Sequence, residues 1–242
     1  MRKVHLIGAL VGVLALAISA VAVASPQFKQ TVKAKYTTSK AKQPAGLSVN
    51  LSATDPGAVP PGAQPGVKTL KITFSGAKID FKAAKLCTLP KDRAESCPGN
   101  TRIGSGTASA NLVGTNATTG QKTVTQNLGQ TVSAYAVSGG LYLIVKGTSL
   151  PTTAILKATL SKKGALSVNV ERDLPVIPGG NKIVLTDFAV KVKKVTKGKG
   201  KSRKEFITTP KCGKSKKFKI TSNFVYEDGS KKKITTTQKC KA

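Results

Sequence analysis

Apolar and polar residues alternate with a period of two along most of this chain. Phe28, Gln30, Val32, Ala34 and Tyr36 fall on one side, and Lys29, Thr31, Lys33, Lys35 and Thr37 on the other. That pattern predicts a strand with one wet, lysine-bearing face. Leu47, Val49 and Leu51 alternate in the same way with Ser48, Asn50 and Ser52, and Leu70, Ile72 and Phe74 with Lys71 and Thr73. Ile79-Asp80-Phe81 predicts the start of a short strand, and residues 107–113, 122–126, 132–137 and 141–146 predict four more. The last two are joined by Ser138-Gly139-Gly140, a hairpin turn. Residues 154–160 and 165–170 predict another hairpin around Lys162-Lys163-Gly164. Phe188, Val190 and Val192 oppose Lys191 and Lys193. Phe218, Ile220, Phe224 and Tyr226 share a face, before Asp228-Gly229 turns the chain into residues 231–237.

The segment 54–66 carries four Pro and three Gly and predicts a loop. No window past residue 24 has a 3.6-residue apolar period. About a dozen short strands with frequent turns predict an all-β fold. The expected form is an antiparallel β-sandwich built as one unit over residues 25–242, with a β-barrel as the rival. Strand order does not follow from the pattern.

The N-terminus breaks the alternation. Arg2 and Lys3 precede an uncharged run from Val4 to Ala24 that ends Ala22-Val23-Ala24 before Ser25-Pro26. A positive start, an apolar run and a small-x-small ending predict an export signal over residues 1–24. A retained anchor is the alternative, since about 20 apolar residues can span a bilayer. Either way the chain is expected to be secreted or held at the cell surface, with no membrane span once the signal is cleaved.

Export sets how the cysteines read. Cys87, Cys97, Cys212 and Cys240 are even in number, so a disulfide framework is expected. Four cysteines allow three pairings. The local one, Cys87–Cys97 and Cys212–Cys240, closes short loops around segments that read as units. A four-Cys zinc site is the rival, but no C-x-x-C spacing occurs.

Catalytic chemistry is thinly supplied. The only His is His5, inside the expected signal, so no Ser-His-Asp triad, Cys-His pair or His-ligated metal remains beyond it. The sequence has no G-x-S-x-G or P-loop pattern. Glu171 and Asp173 would share one face of an extended segment about 7 Å apart, near a retaining-glycosidase spacing. Both belong to one strand end, however, and the chain has no Trp for a sugar to stack on. The ten acids form no calcium loop. No enzyme, cofactor or metal is therefore expected, and a hydrolase is the weakest reading.

Charge points further. The chain has 40 basic and 10 acidic residues, a net of +30. Without residues 1–24 the balance is 38 against 10, or +28. Residues 191–242 carry 18 basic and three acidic residues, and residues 25–190 carry 20 and seven, so positive charge is about fourfold denser at the C-terminal end. Such a surface attracts polyanions: anionic cell-wall polymer, acidic polysaccharide or extracellular DNA. The candidate contacts are Lys191, Lys193, Lys194, Lys197, Lys199, Lys201, Arg203, Lys204, Lys214, Lys216 and Lys217. Residues 193–204 form a low-complexity basic tract, expected as a flexible hairpin tip. Only four of the 38 basic residues beyond the signal are Arg. Lys is a solvated point charge where Arg forks onto bases, so sequence-specific nucleic-acid reading is not expected. The competing expectation is a structural or adhesive envelope domain. Its partners and oligomeric state are not legible here.

Three segments carry a resemblance. Cys87, Cys97-Pro98 and Ile103-Gly104-Ser105-Gly106-Thr107 make a C…CP…IGSGT run, and Leu185-Thr186-Asp187-Phe188 a short LTDF segment. Thr209-Pro210-Lys211-Cys212, Phe224-Val225-Tyr226-Glu227-Asp228-Gly229-Ser230 and Cys240 make the third. Together these resemble a family of uncharacterised secreted, β-rich, lysine-rich proteins of high-GC soil actinobacteria. The resemblance implies a signal, the two local disulfides and one continuous β unit. It implies no activity.

Overall fold

The computed structural model describes residues 28–148, 151–175 and 177–242, and the expected signal lies outside the described residues. In chain order the strands are β1 (Lys29–Tyr36), β2 (Leu47–Thr54), β3 (Val67–Phe74), β4 (Lys78–Ile79), β5 (Arg102–Thr115), β6 (Lys122–Val137), β7 (Gly140–Gly147) and β8 (Thr153–Leu160). They continue with β9 (Ala165–Asn169), β10 (Lys182–Val192), β11 (Thr196–Lys197), β12 (Lys204–Glu205), β13 (Ile207–Thr208), β14 (Lys217–Tyr226) and β15 (Lys231–Lys239). One helical turn, α1 (Val170–Asp173), follows β9.

Eleven strands form a single antiparallel sheet in the order β1-β2-β10-β5-β6-β7-β8-β9-β3-β14-β15. All-β architecture is thus as expected, but the two packed sheets of a sandwich are instead one sheet curled into a nearly closed barrel. The difference lies in long-range pairing. β10 inserts between β2 and β5, and β3 between β9 and β14. Those joins make the sheet continuous, and local alternation carries no trace of them.

The sense of the seam follows from arithmetic. In an antiparallel row of eleven, the first and last strands point the same way. β1 and β15 therefore meet in parallel, and side chains span the gap where a ladder would run. The Gln238 amide oxygen accepts from the Tyr36 N–H at 2.7 Å, and its amide nitrogen donates to the Tyr36 and Thr38 carbonyls at 3.1 Å. Thr236 Oγ1 donates to the Ala34 carbonyl at 3.3 Å, and Lys232 Nζ to that of Phe28 at 3.2 Å. Past the strands the main chain takes over. Ala41 N–H donates to the Lys241 carbonyl at 2.8 Å, and Lys241 N–H to the Ser39 carbonyl at 2.7 Å.

The inward positions are those the alternation predicts. Val32, Ala34, Tyr36, Leu47, Val49, Leu70, Ile72, Phe74, Phe218, Ile220, Phe224 and Tyr226 are all buried. They fill the barrel down to an apolar cavity of about 70 Å³. Ligand pockets run to roughly 300–1,000 Å³, so this interior is a packed core and no calyx. β7 differs, because Leu141 to Val145 is buried on both faces. Its inner residues join the core, while Tyr142 and Ile144 sit under the segment bearing Cys87, Ala94 and Cys97. Burial on both sides is why that strand reads as an unbroken apolar run.

Both disulfides are the local ones. Cys87–Cys97 closes the segment over β7, and Cys212–Cys240 ties the start of β14 to the end of β15, with Cα separations of 5.5 and 5.7 Å. The IGSG run lies on β5 beside β10. A Cβ on Gly106 would collide with the Ala189 carbonyl, so the motif serves close strand approach.

Three local expectations change. Residues 122–126 and 132–137 belong to one 16-residue strand, β6, whose register against β5 shifts near Ala110 and Leu112. Alternation fades between them because residues 127–131 are exposed or half-buried and none is fully buried. β4 ends at Ile79, and Asp80 instead caps a 3-10 turn, Phe81–Ala83, by accepting from the Lys82 N–H. Val170 leaves its expected strand to start α1, capped by Asn169.

Candidate polyanion-binding face

Outward positions on β1, β15, β14 and β3 build one lysine surface. β1 contributes Lys29, Lys33 and Lys35, β15 Lys231, Lys233 and Lys239, β14 Lys217 and Lys219, and β3 Lys71, and all nine are exposed. Register lines them up: Lys71 pairs with Asn223 and Asn223 with Lys233, while Lys217 sits opposite Lys239. The neutral outward residues between them are mostly Thr, with Asn223 and Val225. None of the outward positions on these four strands is acidic. Among the described residues, none of the nine lysines has a carboxylate within ion-pair distance.

Strand geometry places alternate lysines about 6.6–6.8 Å apart along a strand and about 4.8 Å from the neighbouring strand. Those spacings are shorter than the ~10 Å Debye length at 0.1 M salt, so each ammonium feels several others. Like charges directly opposite, as at Lys217 and Lys239, destabilise a ladder. An anionic chain laid on this face would relieve that repulsion and release its own counterions.

The lysines singled out from sequence fall into three groups. Lys191 is exposed on β10, and register joins it through Ser48 to Lys35, extending the face by two strands. Lys193 and Lys194 follow β10, and Lys197, Lys199, Arg203 and Lys204 belong to the β11–β12 hairpin. Lys201 is at its tip, in a 3-10 turn, with its side chain outside the described residues. Lys214, Lys216 and Lys217 lie by the Cys212–Cys240 bridge, where Cys240 N–H donates to the Lys216 carbonyl. The basic tract is thus a small folded hairpin, and the broad face stands elsewhere. Of the nine face lysines only Lys217 is an expected contact: Lys219, Lys231, Lys233 and Lys239 are missed, and so are Lys29, Lys33, Lys35 and Lys71 on β1 and β3. Their wet-face alternation was visible, but their adjacency to β14 and β15 is made by pairing across the whole chain.

Glu171 and Asp173 lie on the α1 turn, not on an extended segment, and their surroundings differ. Glu171 is half-exposed and bonds Lys68 at 3.1 Å. Asp173 is enclosed, and accepts from Lys91 Nζ at 2.7 Å, from Arg172 Nε at 2.8 Å and from the Lys157 N–H at 2.8 Å. Burial alone would raise its pKa, yet the hydrogen bonds from Arg172, Lys91 and Lys157 outweigh burial and hold it below the usual carboxylate range. Its partners are structural. Among the described residues, no group of three His, Cys, Asp or Glu could hold a metal, and no helix is long and apolar enough to cross a membrane.

Comparison with protein-family models, with curated proteins and with solved structures returned no match.

Proposed function

We propose that this protein is a non-enzymatic, exported adhesive module that holds anionic polymers of the cell envelope on its lysine face. The supporting observation is the four-strand surface with nine exposed lysines and no acid. The N-terminal run of residues 1–24 supports placement outside the cytoplasm. The face suits attraction over base reading, because its cations are all Lys on a curved sheet, with no exposed aromatic ring among them for stacking. The resemblance to secreted actinobacterial proteins agrees with this reading and supplies no activity of its own.

The test is a salt series. Binding of the protein to heparin, purified cell wall and duplex DNA is measured between low and physiological salt. Log affinity for DNA should fall linearly with log salt, with a slope of about 0.9 per phosphate neutralised. Replacing Lys33, Lys219 and Lys233 by Gln together should lower that slope by about 3. Binding that ignores salt, or that the triple variant leaves unchanged, would sink the proposal.

A further inference from the structure

A second basic site is built differently. Between the Phe81–Ala83 turn and the β11–β12 hairpin lies an open cleft of about 570 Å³. Phe81, Ala84 and Leu86 give it an apolar wall, and Lys82, Lys197 and Lys204 also line it. The wall is set in place from behind. Phe81 packs edge-on against buried Phe206 at 5.7 Å, and Asp80 fixes the turn through the Lys82 N–H at 2.9 Å.

The cations are arranged at a cost. Lys197 and Lys204 are direct cross-strand partners in the hairpin, a like-charge pairing that destabilises so short a ladder. Lys82 adds a third positive charge from the facing turn. Glu205, the hairpin's carboxylate, pairs across with Thr196 and so takes the opposite face of the ladder. It is held there by Arg203 at 3.7 Å and by the Thr208 hydroxyl at 3.0 Å. Among the described residues, no carboxylate neutralises the three lysines.

From this juxtaposition we infer that the cleft is a binding site for a small amphiphilic anion, whose apolar part lies on Phe81 and Leu86 and whose charged group sits among Lys82, Lys197 and Lys204. Its volume falls in the range of small-ligand sites. An apolar wall beside uncompensated cations distinguishes it from the lysine face, which offers charge alone. The two sites are independent, so either proposal can fail without the other.

Calorimetric titration of the full chain with decyl phosphate, inorganic phosphate and decanol tests this. Decyl phosphate should bind at least about tenfold more tightly than either fragment of its structure. The K197Q/K204Q variant should weaken it by about tenfold or more, and K33Q/K233Q on the sheet face by less than about twofold. The hairpin is peripheral, so the first variant should keep the circular dichroism and melting temperature of the parent. No binding of decyl phosphate at millimolar concentration would overturn the inference. So would equal weakening by both variants, or binding of inorganic phosphate as tight as that of decyl phosphate.

Discussion

Asp173 shows how much one enclosed carboxylate can organise here. β9 pairs with β8 only at Ala158 to Leu160, so the Lys157 N–H has no ladder partner, and Asp173 Oδ2 accepts it from the α1 turn. The other oxygen takes Lys91 and Arg172, tying in the Cys87–Cys97 segment. Its folded pKa is depressed, so its contribution is full above the unfolded value near 3.9 and is lost as pH falls through the lower folded value. D173N should therefore cost about 1–3 kcal/mol at neutral pH, at the modest end for a buried charge because Lys91 and Arg172 reach water. Denaturant melts of both proteins check this: the gap should be full above about pH 5 and shrink as pH falls below the unfolded value near 3.9. A gap that widened on acidification would contradict the assignment. Nothing in Glu171-Arg172-Asp173 distinguishes this role from a solvated strand end, because both partners beyond Arg172 come from other parts of the chain.

At the scale of the strands, the sequence was most legible where one face meets the core and the other meets water. β1, β2, β3 and β14 alternate cleanly, and their inward residues are the buried ones. The Asp228-Gly229 turn was equally readable, since Gly229 takes a φ of +81° that few other residues tolerate. Legibility failed in the middle of β6, where residues 127–131 are exposed or half-buried and no face meets the core. It failed most at the seam. Gln238 reads as an ordinary polar strand residue, yet it serves the Tyr36 N–H and the Tyr36 and Thr38 carbonyls. Q238A should cost about 1–3 kcal/mol, the cost of leaving such groups without partners. Hydrogen exchange locates the effect: the Tyr36 amide should lose protection while the Val49 amide inside the β1–β2–β10 ladder keeps it. Equal loss at both would mean global destabilisation and would refute a local seam role.

For the whole molecule, charge works against compactness. A net of +30 on 242 residues is self-repelling, and the lysine face concentrates it where strands β14, β15 and β1 meet. Raising salt from about 10 to 150 mM shortens the Debye length from about 30 to 8 Å. The melting temperature should rise by several degrees over that interval, and rise further with a stoichiometric polyanion that binds only the folded state. A melting temperature that fell with added salt would show that attractive pairs dominate. Total charge was plain in the sequence, but its gathering onto one face was not. Lys33 and Lys233 share that surface through β1 meeting β15, a neighbourhood that no reading of adjacent residues reveals.

The parallel seam also sets a timetable. Tyr36 and Gln238 are 202 positions apart, so the first strand of the sheet acquires its second neighbour only when the last has been made. β3 likewise waits for β14, and β2 for β10. Long-range pairings of this kind place folding in the millisecond-to-second range, because loop closure must precede the contacts that reward it. A growing chain carries β1 with one open edge through most of its synthesis, and the alternating lysines on that strand discourage it from pairing with a neighbouring chain in the meantime.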